Sequence, residues 1–276
     1  MRRAPCYSPL ATRHSPMSTL RVATLNLRNR ADRWLQRRDL LASQLLQAQP
    51  DLISLQEISF PIGQGHWLQR QLNVRLSGSR RHPYRLLLAR KRHLIKGYFE
   101  GVGILTRLPV VARDTLGLGY EGRVALRANL ELPSGRTVDF VALHLHHVAR
   151  DQEARTEQVT RLMGWLNDRN RVPYQIIAGD FNETPTGPAI RRMKQVYRSA
   201  FAEAVGHEPL ATFPTALSGP SDWSGCLDYI FVSPAIHRVK QAHLICKSPS
   251  PTDNTLYPSD HVGVLAVIEV ENVSPH

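Results

Sequence analysis

The sequence predicts a layered α/β protein, on three observations. Strand-like segments outnumber helical ones, they recur along the whole chain, and the first three elements read strand, helix, strand. Residues 20–27 alternate apolar and polar side chains as a strand does. Residues 31–48 carry Trp34, Leu41, Leu45 and Leu46 at helical spacing until Pro50 closes the helix. Residues 51–56 read as the second strand. Further strands are expected at 101–106, 124–132, 137–145, 174–178, 228–232 and 262–270, and helices at 151–166 and 188–197. The turn Pro133-Ser134-Gly135 joins an expected hairpin. Taken alone, the opening strand-helix-strand unit favours a parallel, doubly wound sheet.

The 276 residues, 42% hydrophobic and 21% charged, are enough for a substantial buried core. No apolar run approaches the roughly 20 residues of a membrane-spanning helix. Cys6, Cys226 and Cys246 are odd in number and widely spaced. They support neither a disulfide framework nor a structural zinc site, and read as idle thiols in a reducing, cytoplasmic setting. Residues 1–19 lack the apolar core of a secretory signal and read as a disordered leader, with Met17 as an alternative start and 20–272 as the single folded domain, expected to be monomeric.

The formal net charge of +12 points to an anionic partner. The excess is concentrated: no acid lies between Glu57 and Glu100, a stretch that holds Arg70, Arg75, Arg80, Arg81, Arg85, Arg90, Lys91, Arg92 and Lys96. A solvated basic surface explains such a run as readily as a ligand does.

Carboxylates, amides and histidines gather at strand ends. Asn26 lies near the end of the first strand and Glu57 follows the second. Asp180 and Asn182 are two residues apart, so an extended chain presents both on one face. Asp228 opens one strand, and Asp260 and His261 precede the last. One such residue is ordinarily a turn or cap. Six such positions form the oxygen-rich donor set of a hard divalent cation, Mg²⁺ or alternatively Mn²⁺. In the run from Val141 to His147, strand alternation puts His144 and His146 on one face and His147 on the other.

The strings ATLNLR around Asn26, DLISLQEI around Glu57, GVGILTRLPV from Gly101, VALHL around His144, IIAGDFNETP around Asp180, LDYIFVSP around Asp228 and SDHVGVLAVIEV around Asp260 resemble, in this order, the endonuclease/exonuclease/phosphatase superfamily. The resemblance implies an αββα four-layer sandwich of two mostly antiparallel sheets packed face to face, in place of a doubly wound sheet. It implies that Glu57 is the principal magnesium carboxylate, with Asn26 and Asp260 as further metal-side ligands and Asn26 also a phosphate contact. Asp180 resembles the residue that prepares the attacking water, and Asn182 the amide holding a phosphoryl oxygen. His261 resembles the imidazole facing the phosphate, and Asp228 the buried acid that orients it. His144 resembles a phosphate contact able to protonate the leaving group, and Arg123 a further phosphate contact; His146 and His147 carry no role.

The implied activity is a metal-dependent phosphoesterase, with a phosphodiester as the expected substrate. A nuclease acting on DNA or RNA along the basic run is the alternative. A catalytically silent binding module is disfavoured because every core position of the motif is present. Where many relatives carry a basic residue before the buried acid, this chain has Cys226-Leu227. Its flanking loops at 212–225 and 247–258 hold substrate determinants that the sequence leaves unread.

Overall fold

The computed structural model describes residues 17–271 except 31, 78–81, 169–171, 220 and 222. The elements run β1 (Met17–Asn26), α1 (Trp34–Ala48), β2 (Leu52–Ser59), α2 (Gln64–Leu76), β3 (Arg85–Arg90), α3 (Lys96–Phe99), β4 (Glu100–Thr106), β5 (Val110–Gly119) and β6 (Arg123–Glu131). They continue with β7 (Thr137–His144), α4 (Gln152–Asn167), β8 (Gln175–Asp180), α5 (Pro188–Lys194), β9 (Arg198–Ser199), α6 (Ala200–Val205), β10 (Asp228–Val232), β11 (Arg238–Ile245) and β12 (Gly263–Glu271). The strands form two six-stranded sheets, ordered β11-β12-β1-β2-β4-β3 and β5-β6-β7-β8-β10-β9.

Each sheet holds one parallel pair, β1 with β2 and β7 with β8, and its other pairings are antiparallel. A helix crossover joins each parallel pair, α1 in the first and α4 in the second. The opening unit therefore does make a parallel pair, but the neighbours that complete the sheet run antiparallel, as the sandwich requires.

Alternate residues of the inner strands serve two different cores. Val22, Leu52 and Ile104 meet Leu126, Phe140, Ile176 and Ile230 between the sheets. Ala23, Leu25, Ile53 and Leu55 face the other way, onto Leu41 and Leu45 of α1 and Leu68 and Leu72 of α2. Val141, Leu143, Ile177 and Phe231 pack under Val159 and Leu162 of α4 and Ile190 and Met193 of α5. Three apolar layers separate four layers of secondary structure, which is the expected αββα sandwich. Strands covered on both faces need apolar residues at nearly every position, so they read as continuous apolar runs.

Of the expected leader, 1–16 lie outside the described residues, as does Cys6, while Met17–Thr19 already pair with Glu269–Glu271 of β12. Cys226 and Cys246 are buried free thiols. No helix among the described residues is long and apolar enough to cross a membrane.

The basic run does not form one solvated face. It supplies the end of α2, the edge strand β3 and the short α3. Arg90 stacks on Phe60 at 3.9 Å, Arg92 donates to the Thr115 carbonyl, and Lys91 is buried against Glu100. Arg80 and Arg81 lie outside the described residues.

Candidate active site

Sheet register aligns three of the expected residues. His144 ends β7 opposite Asp180, the last residue of β8, and Asp228 opens β10 opposite the same Asp180. Three neighbouring strand ends thus present an imidazole and two carboxylates side by side. The other sheet contributes Asn26 at the end of β1 and Glu57 in β2. Glu57 does not follow its strand, as its position had suggested; it sits within it, where pairing with β4 slips between Leu55 and Ile58. Its φ of 50° is left-handed, and the bulge turns its carboxylate out of the ladder. Asn182 and Arg28 share that conformation, with φ of 48° and 55°. With Glu121 at 57°, four non-glycine residues around one cleft have left-handed backbone, strain of the kind found at functional sites.

The two sheets meet through Asn26. Its Nδ2 donates to Asp180 Oδ2 at 3.0 Å and to Glu57 Oε1 at 3.4 Å, so one amide nitrogen links carboxylates 123 positions apart in the chain. The Asn26 oxygen accepts from the Arg28 backbone N–H. Asp180 Oδ1 accepts from the Asn182 N–H at 2.8 Å, and the Asn182 side chain donates to the Leu145 carbonyl. The Nε2 atoms of His144 and His261 lie 3.5 and 3.8 Å from Asp180 Oδ2. Glu57, His144, Asp180, Asn182 and His261 line an open cleft of about 650 Å³ together with Arg28, Arg30, Lys91, Lys96, Phe213 and Trp223.

The two imidazoles are held oppositely. His261 Nδ1 lies 2.8 Å from Asp228 Oδ2. Burial opposes charge on this ring, but the carboxylates of Asp228 and Asp180 outweigh it and raise the pKa to about 10. His144 Nδ1 instead lies 2.6 Å from Arg123 Nη1. Burial, then the charges of Arg123 and Lys91, push its pKa well below the ordinary value, so the ring is neutral at pH 7. Asp180 is pushed up to about 7, first by burial and then by the negative charge of Asp228.

Arg123 and His147 depart from expectation. Arg123 opens β6, is only 4% exposed, and turns both Nη atoms onto ring nitrogens, those of His144 and, at 3.3 Å, His147. His147 therefore lines the cleft, because the chain leaves β7 at His144 and strand alternation no longer applies beyond it. His146 packs away from it beside Tyr120, with Nε2 3.3 Å from Asp151.

Charges around Glu57 bear on metal binding. Arg28 pairs with Asp260 and Asp32, Lys91 with Glu100, and Lys96 with Glu121, while Asn29 donates to Glu100. Among the described residues no side-chain cation pairs with Glu57, whose half-buried carboxylate accepts only from Asn26 and the Asn29 N–H. Lys91, Arg37 and Arg123 act on Glu57 only at longer range, and a carboxylate with no cation in contact among several paired ones fits a divalent cation. Asp260, an expected ligand, carries Arg28 on one oxygen.

Among the described residues, two groups of three offer ligand atoms within 4.8 Å of one another: Asp180 with Asp228 and His261, and Glu121 with His146 and His147. Arg123 on His147 and Lys96 on Glu121 oppose a cation in the second.

Two buried arginines that sequence reading did not single out hold the loops behind these residues. Arg37 of α1 donates to the carbonyls of Leu27, Arg28 and Pro258, tying the end of β1 to the loop before Asp260. Arg155 of α4 pairs with Glu183 at 2.8 Å and donates to the carbonyls of Val148 and Ala149, tying the exits of β7 and β8 together. Each crossover helix thus fixes the site end of its own parallel pair. A basic residue on the buried face of an otherwise amphipathic helix is the signal that could have revealed both.

The model of the endonuclease/exonuclease/phosphatase family matches residues 23–261. The chain belongs to that family. Among solved structures, it resembles the family member from Bacteroides vulgatus at 20% identity and a TM-score of 0.72, over 92% of this chain and 100% of that one. It resembles the human Nocturnin catalytic domain with bound sulfate at 20% identity and 0.72, over 92% and 97%. It also resembles a mannosyl-6-phosphatase from Bacteroides thetaiotaomicron at 19% identity and 0.72, over 90% and 99%. At these identities the likeness is one of fold. A comparison with curated proteins returns no match.

Proposed function

We propose that this family member is a divalent-metal-dependent phosphoric ester hydrolase that attacks a phosphodiester with an activated water. The observation that supports it best is the meeting of His144, Asp180, Asp228 and His261 at one sheet end, within reach of the otherwise unpaired Glu57. Glu57, with Asn26 beside it and Asp260 on the same cleft, would hold Mg²⁺ or Mn²⁺; when bound, the ion supplies Lewis-acid neutralisation of phosphoryl oxygens.

The chain's own groups divide the rest. Asp180, with a pKa near neutrality, accepts the proton of the attacking water at working pH. The water oxygen forms the new bond to phosphorus as the bond to the ester oxygen breaks, and the departing oxygen takes its proton from water in the open cleft. His261 presents a protonated Nε2 toward the phosphoryl oxygens, and Asp228 keeps the charge on its ring. The Asn182 amide faces the same charge as it builds.

The test is hydrolysis of an activated phosphodiester, supercoiled plasmid, single-stranded RNA, sphingomyelin, a sugar phosphate and an inositol phosphate, with and without a chelator. Activity on at least one diester should vanish on chelation and return with Mg²⁺ or Mn²⁺. Chelator-resistant activity, or none on any substrate, would refute the proposal. Plasmid or RNA cleavage that falls steeply with salt would instead favour the nuclease reading. The same reading takes the protein to be a cytoplasmic monomer, which sedimentation and fractionation test.

A further inference from the structure

The two histidines that face Asp180 differ in what stands behind them. Nδ1 of His261 meets a carboxylate, whereas Nδ1 of His144 meets the Nη1 of Arg123 at 2.6 Å. A guanidinium has five donors, no acceptor, and keeps its charge in proteins. In this contact the arginine must donate, so His144 Nδ1 must offer a lone pair. The ring's single proton is therefore on Nε2, the atom 3.5 Å from Asp180 Oδ2. Arg123 has little freedom to release it, being buried at the mouth of β6 with its second Nη on His147. His144 is itself buried, so water does not compete for the contact. The other charged or titratable groups acting on His144, Lys91, His261 and His147, also disfavour a second proton.

We propose that Arg123 is a positioning residue that locks His144 in the Nε2–H tautomer, making it a neutral hydrogen-bond donor to the substrate's phosphoryl oxygen. His144 then cannot be the group that protonates the leaving oxygen, which is one of the two roles its motif suggests. The two rings around Asp180 have opposite partners on Nδ1, a carboxylate for His261 and a guanidinium for His144. The tautomer follows from the contact alone. Its use on a phosphoryl oxygen rests on the function proposed above.

The test is two-bond ¹H–¹⁵N correlation on the histidine-labelled full chain, with His144 assigned through His144→Gln. The wild type should show His144 protonated on Nε2 alone. Arg123→Met should let the Nδ1–H form appear and lower kcat on the activated diester at least tenfold, and Arg123→Lys should restore much of both. Thermal melts check that both variants fold, and the wild-type spectrum decides the tautomer without either. A His144 that carries a proton on Nδ1 in the wild type overturns the proposal. So does an Arg123→Met protein with a changed tautomer and turnover within twofold of wild type. If the tautomer holds and no phosphate ester is hydrolysed, the proposed function fails and the role at the phosphoryl oxygen falls with it, while the lock itself stands.

Discussion

Replacing Asp228 with Asn isolates the contact that sets the charge of His261. The substitution preserves shape in a site where Asp228 is 1% and His261 5% exposed, so neither packing nor solvent screening obscures the result. Oδ2 is 2.8 Å from His261 Nδ1, while Oδ1 has no hydrogen-bond partner. The variant therefore takes the charge out of one charge-assisted bond, and with it the negative charge that helps to raise the pKa of Asp180. Such bonds contribute about 1.5–3 kcal/mol, which corresponds to a loss of about 10- to 150-fold in turnover if the charged ring acts only in the transition state. The assay is steady-state hydrolysis of an activated phosphodiester at saturating Mg²⁺, with a melt of the same preparation to show that the fold persists. We expect kcat to fall within that range and KM to change little. A kcat within twofold of wild type would show that His261 needs no buried acid to function, and the division of labour argued for the site would be wrong.

Three further outcomes follow from the same contacts. Glu57→Gln removes a half-buried carboxylate bonded only to Asn26 and the Asn29 N–H, so stability should change by no more than about 1 kcal/mol while Mg²⁺-dependent activity falls by at least about a hundredfold; calorimetric metal binding unchanged from wild type would contradict this. Because the folded pKa of His261 lies above its unfolded value, its contribution to stability is complete below about pH 6.5 and lost as pH rises toward about 10. Urea titrations of chelated protein at pH 6 and 9.5 should show a decline that His261→Gln reduces, and equal declines in the two proteins would refute it. Arg155→Leu takes the cation from the fully buried Glu183 and a donor from three loop carbonyls, so unfolding free energy should drop by about 3–5 kcal/mol; a loss under 1 kcal/mol would show the pair to be dispensable.

The strands visible in the sequence and those missed differ in a simple way. β1, β2, β4, β6, β7, β8, β10 and β12 were all expected, and they fill the interior of the two sheets. β3, β5, β9 and β11 were not, and they are the four sheet edges. An inner strand such as β7 buries nearly every residue and must be apolar throughout. An edge such as β5 exposes Val111, Arg113 and Thr115 and carries the charges that discourage edge pairing between molecules, so it reads as a loop. Helix α2 was missed for a related reason: it starts from Gly63 without a side-chain cap and lies in a run dominated by basic residues.

The candidate site shows the same boundary between local and distant information. The residue types at Asn26, Glu57, His144, Asp180, Asn182, Asp228, Asp260 and His261 were legible because each stands at or near the end of an apolar strand, where the pattern changes abruptly. Their meeting follows from strand register, which the buried faces impose. Which neighbour each one touches was not legible. Arg28 on Asp260, Arg123 on His144 and His147, and the loop ties of Arg37 and Arg155 join residues up to 232 positions apart. The sequence by itself determined the inner strands, the layers they build and the kinds of side chain gathered at one end. Only the tertiary structure decided which imidazole faces a carboxylate and which carboxylate has no cation in contact, because protonation and pairing depend on contacts of a few ångströms, and the spacing of residues along the chain does not encode them.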